Sequence, residues 1–357
     1  MTVKDGELLD RLRSHYKTDN VLITGSGTTA LYLIARQLLS DNVVVFLPSN
    51  ICPNVGVTFS QYRHVILIPP DERTLNMDLN ELERHLDASR LNIVVAVNSY
   101  GIPIDKKFLD DFRNNYQLFV IEDACQSFGV LLNGEVIGSR FDSGVVSFGY
   151  GKHIPYKAGG ALIVKDNNQF KELTGLLYRE NCLRDFVLSR TSRWLTLLAQ
   201  YRMLDYLGKQ TNVLNYNISS RQKNEIVKSW DKFIHNVQQL IEIHRSFYRI
   251  LSMMPSVQLW NQNIDGWIPW RFSFLIKDRA AYKEFIDQLD EKGLRYSRLY
   301  RNLTEYFPDF KMESEYLGRV SNFERSIINL IYPYDLKGAE RYVMWLEGIV
   351  LENVGKN

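Results

Sequence analysis

The fold of this chain is decided by residues 120–164, which read VIEDACQSFGVLLNGEVIGSRFDSGVVSFGYGKHIPYKAGGALIV. Two short apolar runs in this stretch end in polar side chains: Asp123 and Gln126 follow the first, and Ser147 and Lys152 follow the second. Runs rich in β-branched residues are typical of buried strands, and in open α/β sheets ligands bind beyond the carboxyl ends of such strands. The stretch therefore predicts a crevice that holds a carboxylate, an amide, a hydroxyl and an amine.

This set of side chains suits pyridoxal phosphate. The aldehyde of that cofactor needs a lysine for a Schiff base, and its ring nitrogen needs a carboxylate to stay protonated. Lys152 and Asp123 would supply these two groups. Asp123 has an alternative interpretation as a helix cap after a strand, and Lys152 has one as a solvated surface lysine. The neighbouring Gly149 and Gly151 permit close backbone approach and favour a buried Lys152.

Four short motifs occur in order along the chain. They are Ser26-Gly27-Thr28-Thr29-Ala30-Leu31, Tyr100-Gly101-Ile102-Pro103-Ile104-Asp105, Glu122-Asp123-Ala124-Cys125-Gln126, and Ser147-Phe148 with Lys152 before Gly159-Gly160. Any one of them would be weak evidence, but the four in order are specific. With them the chain resembles the DegT/DnrJ/EryC1/StrS family of sugar aminotransferases, fold-type I enzymes that use pyridoxal phosphate. The resemblance covers residues 20–165 well and the remainder loosely.

The resemblance implies an α/β fold of the fold-type I aminotransferase kind. Strand patterns that alternate with helical ones also favour a mostly parallel sheet. We expect a large domain with a seven-stranded sheet between helices at residues 1–225, and a smaller α+β domain at residues 226–357. A long amphipathic helix at 226–251 would lead into the small domain, and a further amphipathic helix is predicted at 194–207.

The resemblance also implies cofactor-binding roles for eight residues, which are Gly27, Thr28, Cys52, Asp123, Gln126, Ser147, Lys152 and Asn215. Gly27, Thr28 and Ser147 would hold the phosphate of pyridoxal 5'-phosphate, and Gln126 would bond the ring hydroxyl. Asn215 would reach the cofactor phosphate of the other subunit. The resemblance therefore implies a homodimer with shared active sites.

Lys152 and Asp123 are the predicted catalytic pair. Lys152 would move the proton between the substrate carbon and the cofactor, while Asp123 keeps the ring cationic. Some relatives carry histidine in place of this lysine and are dehydratases, so Lys152 favours amino transfer. The adjacent His153 makes the register of this loop worth checking in a structure.

Two positions depart from the family pattern. Cys52 stands where relatives present an aromatic ring that stacks on the cofactor. As a small soft side chain it could pack on the ring, or it could be a buried structural thiol. The second departure is Asn217, which follows Asn215 and Tyr216 where relatives have arginine.

A dinucleotide-binding fingerprint is also present, because Gly25-x-Gly27-x-x-Ala30 follows a predicted strand. That fingerprint expects an acidic residue roughly 20 positions further on, at the end of the next strand. The next strand here ends in Pro48-Ser49-Asn50, without a carboxylate. A nucleotide-sugar oxidoreductase of Rossmann type is therefore the weaker alternative. The same strand, glycine turn and helix start would equally bind a phosphate.

Composition limits the partners of the chain. Lys and Arg number 43 against 41 Asp and Glu, a balance that gives no sign of a nucleic-acid surface. The apolar segment 194–207 is too short to span a membrane, and residues 1–20 lack the apolar core of a signal peptide. The three cysteines show no metal-ligand spacing, so we expect a cytoplasmic protein without disulfides or bound metal.

The predicted function is transfer of an amino group from an amino acid to a keto-sugar. By resemblance the donor is L-glutamate and the acceptor is nucleotide-linked, as in surface polysaccharide or amino-sugar biosynthesis. A smaller keto or aldehyde phosphate stays open as acceptor, as does a non-catalytic member that only holds the cofactor. Tyr296, Arg298, Tyr300 and Arg301 lie where relatives receive part of a sugar nucleotide, and they have an alternative interpretation as an exposed loop.

Overall fold

The computed structural model describes residues 6–177, 214–260, 267–333 and 338–354. The strands in these ranges are β1 (Val21–Thr24), β2 (Val43–Pro48), β3 (Val65–Ile68), β4 (Leu91–Val97), β5 (Leu118–Asp123), β6 (Leu131–Leu132), β7 (Glu135–Val136), β8 (Ser143–Ser147), β9 (Gly160–Val164), β10 (Val257–Gln258), β11 (Phe272–Ile276), β12 (Tyr296–Ser297) and β13 (Ile327–Leu330). The helices are α1 (Gly6–Tyr16), α2 (Gly27–Gln37), α3 (Pro53–Phe59), α4 (Leu79–His85), α5 (Lys106–Phe112), α6 (Asn167–Leu176), α7 (Ser220–Leu251), α8 (Arg279–Lys292), α9 (Tyr316–Ser326) and α10 (Ala339–Val354).

A seven-stranded sheet forms the centre of the larger lobe. Its strand order is β1-β9-β8-β5-β4-β2-β3. Four neighbouring pairs, from β8 through β5, β4 and β2 to β3, are parallel, and β9 runs antiparallel to both of its neighbours. Strands β2, β4 and β5 are almost wholly buried, as expected for parallel strands that are covered on both faces. The predicted mostly parallel seven-stranded sheet is confirmed.

The position of β1 argues against the dinucleotide-binding alternative. This strand, which precedes the glycine turn, lies at the edge of the sheet and pairs only with the antiparallel β9. In a dinucleotide-binding sheet the fingerprint strand lies inside a parallel sheet, beside the point where the strand order reverses. The topology therefore does not support the Rossmann interpretation.

A four-stranded antiparallel sheet forms the centre of the smaller lobe, in the order β10-β11-β13-β12. Helices α8 and α10 pack with it, and α7 joins the two lobes as one continuous helix of 32 residues. The smaller α+β lobe is confirmed. The predicted boundary between residues 225 and 226 falls inside α7 and stays a prediction.

Polar contacts fix the smaller lobe against the larger one. Arg319 of α9 donates to the carbonyl of Pro70 at 2.7 Å and forms a salt bridge with Asp78, the N-cap of α4. Tyr316 of α9 donates to the Glu81 carboxylate at 2.8 Å. These contacts therefore hold α9 of the smaller lobe against the start of α4 in the larger lobe.

Two remaining expectations concern single helices. The amphipathic helix predicted at 194–207 lies outside the described residues. Among the helices of the described ranges, none combines the length and the apolar character needed to cross a bilayer.

Candidate active site

The carboxyl ends of β5 and β8 bring the first predicted residues together. The two strands are parallel neighbours, with Asp123 opposite Val145, and Ser147 ends β8. Asp123 is only 5% exposed, and its Oδ1 accepts a hydrogen bond from the backbone N–H of Cys125 at 3.0 Å. No arginine or lysine in the described ranges forms a salt bridge with it. A buried carboxylate without a cation is costly, so this site suits a ligand that brings a positive N–H.

The loop after β8 directs Lys152 towards the same crevice. Its Nζ lies 5.1 Å from the centre of the Trp270 ring, and the indole N–H of Trp270 donates to the carbonyl of Gly151. Lys152 forms no salt bridge with any carboxylate of the described residues. Lys152 is thus half-buried beside an aromatic ring, and no acidic residue of the described ranges pairs with it.

The structure resolves the register question that His153 raised. The Nε2 atom of His153 bonds to the carbonyl of Ile268 at 3.1 Å, and its ring packs edge-on against Phe233. Burial, together with the nearby Arg271 and Lys152 cations, lowers the pKa of His153 to about 4. The imidazole is therefore a neutral packing residue between helix and loop, and Lys152 is the residue that faces the crevice.

Gln126 is buried at the rim of the same crevice. Its Oε1 accepts the backbone N–H of Tyr100 at 2.8 Å, and its Nε2 donates to the hydroxyl of Tyr300 at 3.2 Å. The backbone of Gly101 packs closely against residues 126 and 270. A Cβ on Gly101 would lie 2.3 Å from the backbone nitrogen of Trp270 and 2.5 Å from the carbonyl oxygen of Gln126, so only glycine fits here. The Tyr100-Gly101 turn therefore contacts the smaller lobe at Trp270, directly beside the site.

The start of α2 lies where the sequence predicts a phosphate cradle, and its phosphate-binding role stays a prediction. Ser26 caps the helix by accepting the N–H of Thr29, and Gly27 and Thr28 follow as its first residues. A Cβ on Gly27 would lie 2.8 Å from Cys125 Sγ and 3.0 Å from Ser147 Cβ. The free amides of this helix start thus adjoin the ends of both β5 and β8, where a phosphate would meet the positive end of the helix dipole.

Two thiols line the crevice. Burial raises the pKa of Cys52, the Lys152 ammonium lowers it, and the Asp123 carboxylate raises it. Burial and the Asp123 carboxylate also raise the pKa of Cys125, whereas the Lys152 ammonium lowers it. Because screened charges act over only several ångströms, the two thiols, the amine and the carboxylate share one site. Both cysteines are free thiols in the structure.

Asn215 lies beside the phosphate cradle of its own chain. Its Nδ2 donates to the carbonyl of Leu176 at 2.8 Å, while the carbonyl of the next residue, Tyr216, accepts the N–H of Gly25 at 2.8 Å. A Cβ on Gly25 would enter the Tyr216 ring, which explains the glycine at this turn. The role of Asn215 across a subunit interface stays a prediction.

Glu122, which precedes Asp123 in the sequence, has a structural role. It is fully buried and forms a salt bridge of 2.6 Å with the buried Arg140. It also accepts the backbone N–H groups of Gly138 and Arg140 and the amide of Asn98. This network fixes the loop after β7 beneath the site, so Glu122 is not available to a ligand.

The sequence did not single out Trp270 or Cys125, and it gave Tyr300 only as a residue of a substrate region. Tyr300 and Trp270 stack with ring centres 6.4 Å apart and an angle of 11° between them. The one available signal was Gly101, since a glycine after a strand indicates a close approach of backbone. Nothing in the sequence indicated that the approaching backbone would be that of residue 270.

These residues fit pyridoxal phosphate. Asp123, which is buried and has no cationic partner among the described residues, suits the protonated ring nitrogen. The half-buried Lys152 suits the aldehyde, and the glycine turn at Gly27 suits the phosphate. Gln126 offers an amide within the same crevice. The eight predicted residues thus lie around one site, except that Asn215 is attached to it through the neighbouring turn.

The family model of the DegT/DnrJ/EryC1/StrS aminotransferase family matches residues 5–333, and the chain belongs to this family. The predicted family and fold are thereby confirmed, and the aminotransferase class and the cofactor are those of the family. The family assignment rests on nearly the whole chain, whereas the sequence motifs covered residues 20–165.

Individual relatives match over shorter stretches. The chain is 30% identical over 165 residues to dTDP-3-amino-3,6-dideoxy-alpha-D-galactopyranose transaminase of Aneurinibacillus thermoaerophilus. This match covers 45% of this chain and 43% of that protein. It is 27% identical over 160 residues to GDP-4-keto-6-deoxy-D-mannose 3-dehydratase of Yersinia pseudotuberculosis. This second match covers 42% of this chain and 40% of that protein. Both matches span less than half of the relative's length.

The fold extends further than these matches. The structure of the E. coli GDP-4-keto-6-deoxy-D-mannose-3-dehydratase with bound hydrated PLP superposes with a TM-score of 0.73, over 97% of this chain and 92% of that one. Sequence identity across this superposition is 16%, so the likeness concerns the fold.

Proposed function

We propose that this protein is a pyridoxal-phosphate-dependent aminotransferase that moves an amino group from an amino acid to a keto-sugar. The observation that carries the proposal is the meeting of Lys152, Asp123 and Gln126 at the carboxyl ends of β5 and β8, beside the glycine cradle of α2. Lys152 rather than His153 faces this site, which supports amino transfer over dehydration.

Each residue has a task that its surroundings support. The bound cofactor supplies an aldehyde for amine exchange and a protonated ring that withdraws electrons from the substrate carbon. Asp123 would accept the ring N–H and hold its charge, and the α2 amides with Thr28 and Ser147 would hold the phosphate. Lys152 Nζ would first hold the aldehyde carbon and, once the donor amine has replaced it, would move the proton at the substrate carbon.

The proposed donor is L-glutamate and the proposed acceptor is a nucleotide-linked keto-sugar. The names of similar proteins support this choice, since they include a transaminase acting on a dTDP-sugar, a GDP-perosamine synthase and an aminotransferase acting on a UDP-sugar. A smaller keto or aldehyde phosphate is the alternative acceptor. We further propose a cytoplasmic homodimer with shared active sites, on the family resemblance.

The test follows the colour of the cofactor-loaded protein. L-glutamate should bleach its visible absorbance as an equal amount of 2-oxoglutarate appears, and the correct keto-sugar nucleotide should restore it. The panel would hold GDP-, UDP- and dTDP-linked keto-sugars together with small keto phosphates. The Lys152→Ala variant should show no bleaching, whereas Lys157→Ala, an exposed lysine of the same loop, should behave as wild type.

Three results would reject parts of this assignment. A loaded protein that keeps its colour with every amino acid is a binding protein and not an aminotransferase. Bleaching that is reversed only by small keto phosphates rejects the nucleotide-sugar acceptor. A protein that binds a nicotinamide cofactor and no pyridoxal phosphate rejects the proposal as a whole.

A further inference from the structure

The side chain of Gln126 is held at both ends by groups that fix its orientation. The backbone N–H of Tyr100 can only donate, so the atom it meets at 2.8 Å must be the amide oxygen. The amide nitrogen then faces the hydroxyl of Tyr300 at 3.2 Å. Gln126 is 4% exposed, so neither end can turn to water. An amide nitrogen carries two hydrogens, and the Tyr300 hydroxyl accepts one of them.

Tyr300 is well placed to act as a fixed partner for this amide. Its ring stacks on Trp270, and its backbone carbonyl accepts the amide of Asn50 at 3.2 Å, at the carboxyl end of β2. The carbonyl of the preceding residue, Leu299, accepts the hydroxyl of Tyr100 at 3.0 Å. The backbone that carries the phenol is therefore bonded to residues just beyond the ends of β2 and β4 of the larger sheet, although Tyr300 belongs to the smaller lobe.

The hydroxyl of Tyr300 keeps its proton under all working conditions. Burial raises its pKa well above the ordinary value, and the nearby Cys52, Tyr100 and Asp123 raise it further. A neutral hydroxyl can accept from the Gln126 amide at any pH at which the protein is folded. The contact between the two side chains is thus permanent and does not switch with pH.

We propose that Tyr300 is a positioning residue, which holds the Gln126 amide with its second N–H aimed at the phenolic oxygen of pyridoxal phosphate. The inference rests on the proposed function. An N–H donor at that oxygen stabilises its negative charge, so the linkage between Lys152 and the cofactor loses its proton at a lower pH. Through one hydrogen bond, the smaller lobe would set the proton affinity at the reacting centre.

The experiment is a pH titration of the visible absorbance of cofactor-loaded protein without substrate. Tyr300→Phe removes the acceptor and frees the amide to turn. The pH at which half of the linkage between Lys152 and the cofactor has lost its proton should rise by about half to one unit. This is the size expected for the loss of one hydrogen bond. Gln126→Glu, which leaves Tyr300 in place but cannot donate, should raise it at least as far and provides an answer even if Tyr300→Phe fails to fold.

The control is Tyr342→Phe. Tyr342 is as deeply buried as Tyr300 but lies away from the site. The substitution also removes one hydrogen bond, which the Tyr342 hydroxyl donates to the carbonyl of Arg295 at 2.8 Å. Its titration should match that of wild type. A general loosening of the smaller lobe would move both tyrosine variants alike and would overturn the proposal.

A double-mutant cycle separates positioning from structure. In a Gln126→Ala background, Tyr300→Phe should cause no additional shift, because the amide through which it acts is gone. An unchanged titration of Tyr300→Phe, or a shift that persists without Gln126, overturns the inference and leaves the aminotransferase proposal intact. A wild-type protein without any visible band overturns both.

Discussion

At the scale of single residues, the adjacent Lys152 and His153 in the loop after β8 have different surroundings. The Lys152 amine lies beside Trp270 and pairs with no carboxylate in the part of the chain that the structure describes, whereas His153 bonds to the carbonyl of Ile268. The two residues lie in a turn, in which the backbone N–H of Lys152 donates to the carbonyl of Gly149 at 3.3 Å, and their side chains have different neighbours. This difference, which motif spacing alone cannot reveal, leaves the lysine as the side chain that faces the crevice.

The half-buried His153 predicts a pH dependence of stability. Its pKa is about 4 in the folded protein and 6.5 in an unperturbed chain. Between these values the unfolded chain binds a proton that the folded one does not, so acid favours unfolding. Through this residue the free energy of unfolding should fall by about 2 kcal/mol from pH 7 to pH 5 and stay constant above pH 7.

Urea unfolding of wild type and His153→Gln at the two pH values measures this effect. Glutamine can still donate to the Ile268 carbonyl but does not titrate in this range, so the variant should lose less stability on acidification. The pKa of His15 is also lowered by burial, but it contributes equally to both proteins and cancels in the difference. Equal slopes for the two proteins would show that His153 is not buried in its neutral form.

At the scale of elements, the start of α2 depends on Gly27. An added methyl group would collide with Cys125 Sγ and Ser147 Cβ, at 2.8 and 3.0 Å. We expect Gly27→Ala to displace the helix start from the strand ends and to weaken binding of pyridoxal phosphate by roughly tenfold or more. A fluorescence or absorbance titration with the cofactor measures the change.

The matched control is Gly318→Ala, a glycine inside α9 with no atom within 4 Å of the added Cβ. It should leave cofactor affinity unchanged and stabilise the protein by up to about 1 kcal/mol, because alanine favours a helix more than glycine does. If both variants bind the cofactor as tightly as wild type, Gly27 does not form the phosphate cradle.

Elements with strong local signals were predicted well from the sequence. The strand at 21–24, the mostly parallel sheet and the long helix that ends at 251 all follow from apolar periodicity, and the four motifs placed the site at the ends of β5 and β8. Tyr300 and Trp270 could not be placed in the same way, since their positions depend on contacts with residues 174 and 119 positions away in the sequence, in the other lobe. Periodicity carries no information on such contacts.

At the scale of the whole molecule, the two lobes are joined by salt bridges of different burial. Arg319 contacts Asp78, Glu81 and the carbonyl of Pro70, and the two carboxylates are largely buried. Arg319→Ala removes this cation from Asp78, while Glu81 keeps its salt bridge with Arg84, so the free energy of unfolding should fall by about 2 kcal/mol. Urea unfolding measures this loss.

The salt bridge between Lys277 and Glu72 offers a comparison, because it also joins the lobes at 2.6 Å but its lysine is 57% exposed. Water screens this pair, so Lys277→Ala should cost less than about 1 kcal/mol. Equal losses for the two variants would contradict the assignment of the lobe contact to the α9 arginine.

The central claim is that Lys152 is the amine that holds pyridoxal phosphate. Borohydride reduction of the loaded protein converts a lysine-bound cofactor into a permanent label, and peptide mass spectrometry then identifies the labelled residue. We predict that the label lies on Lys152 alone and is absent from Lys152→Ala. A label on another lysine, such as Lys157 or Lys165, or no label on a protein that binds the cofactor, would contradict the claim.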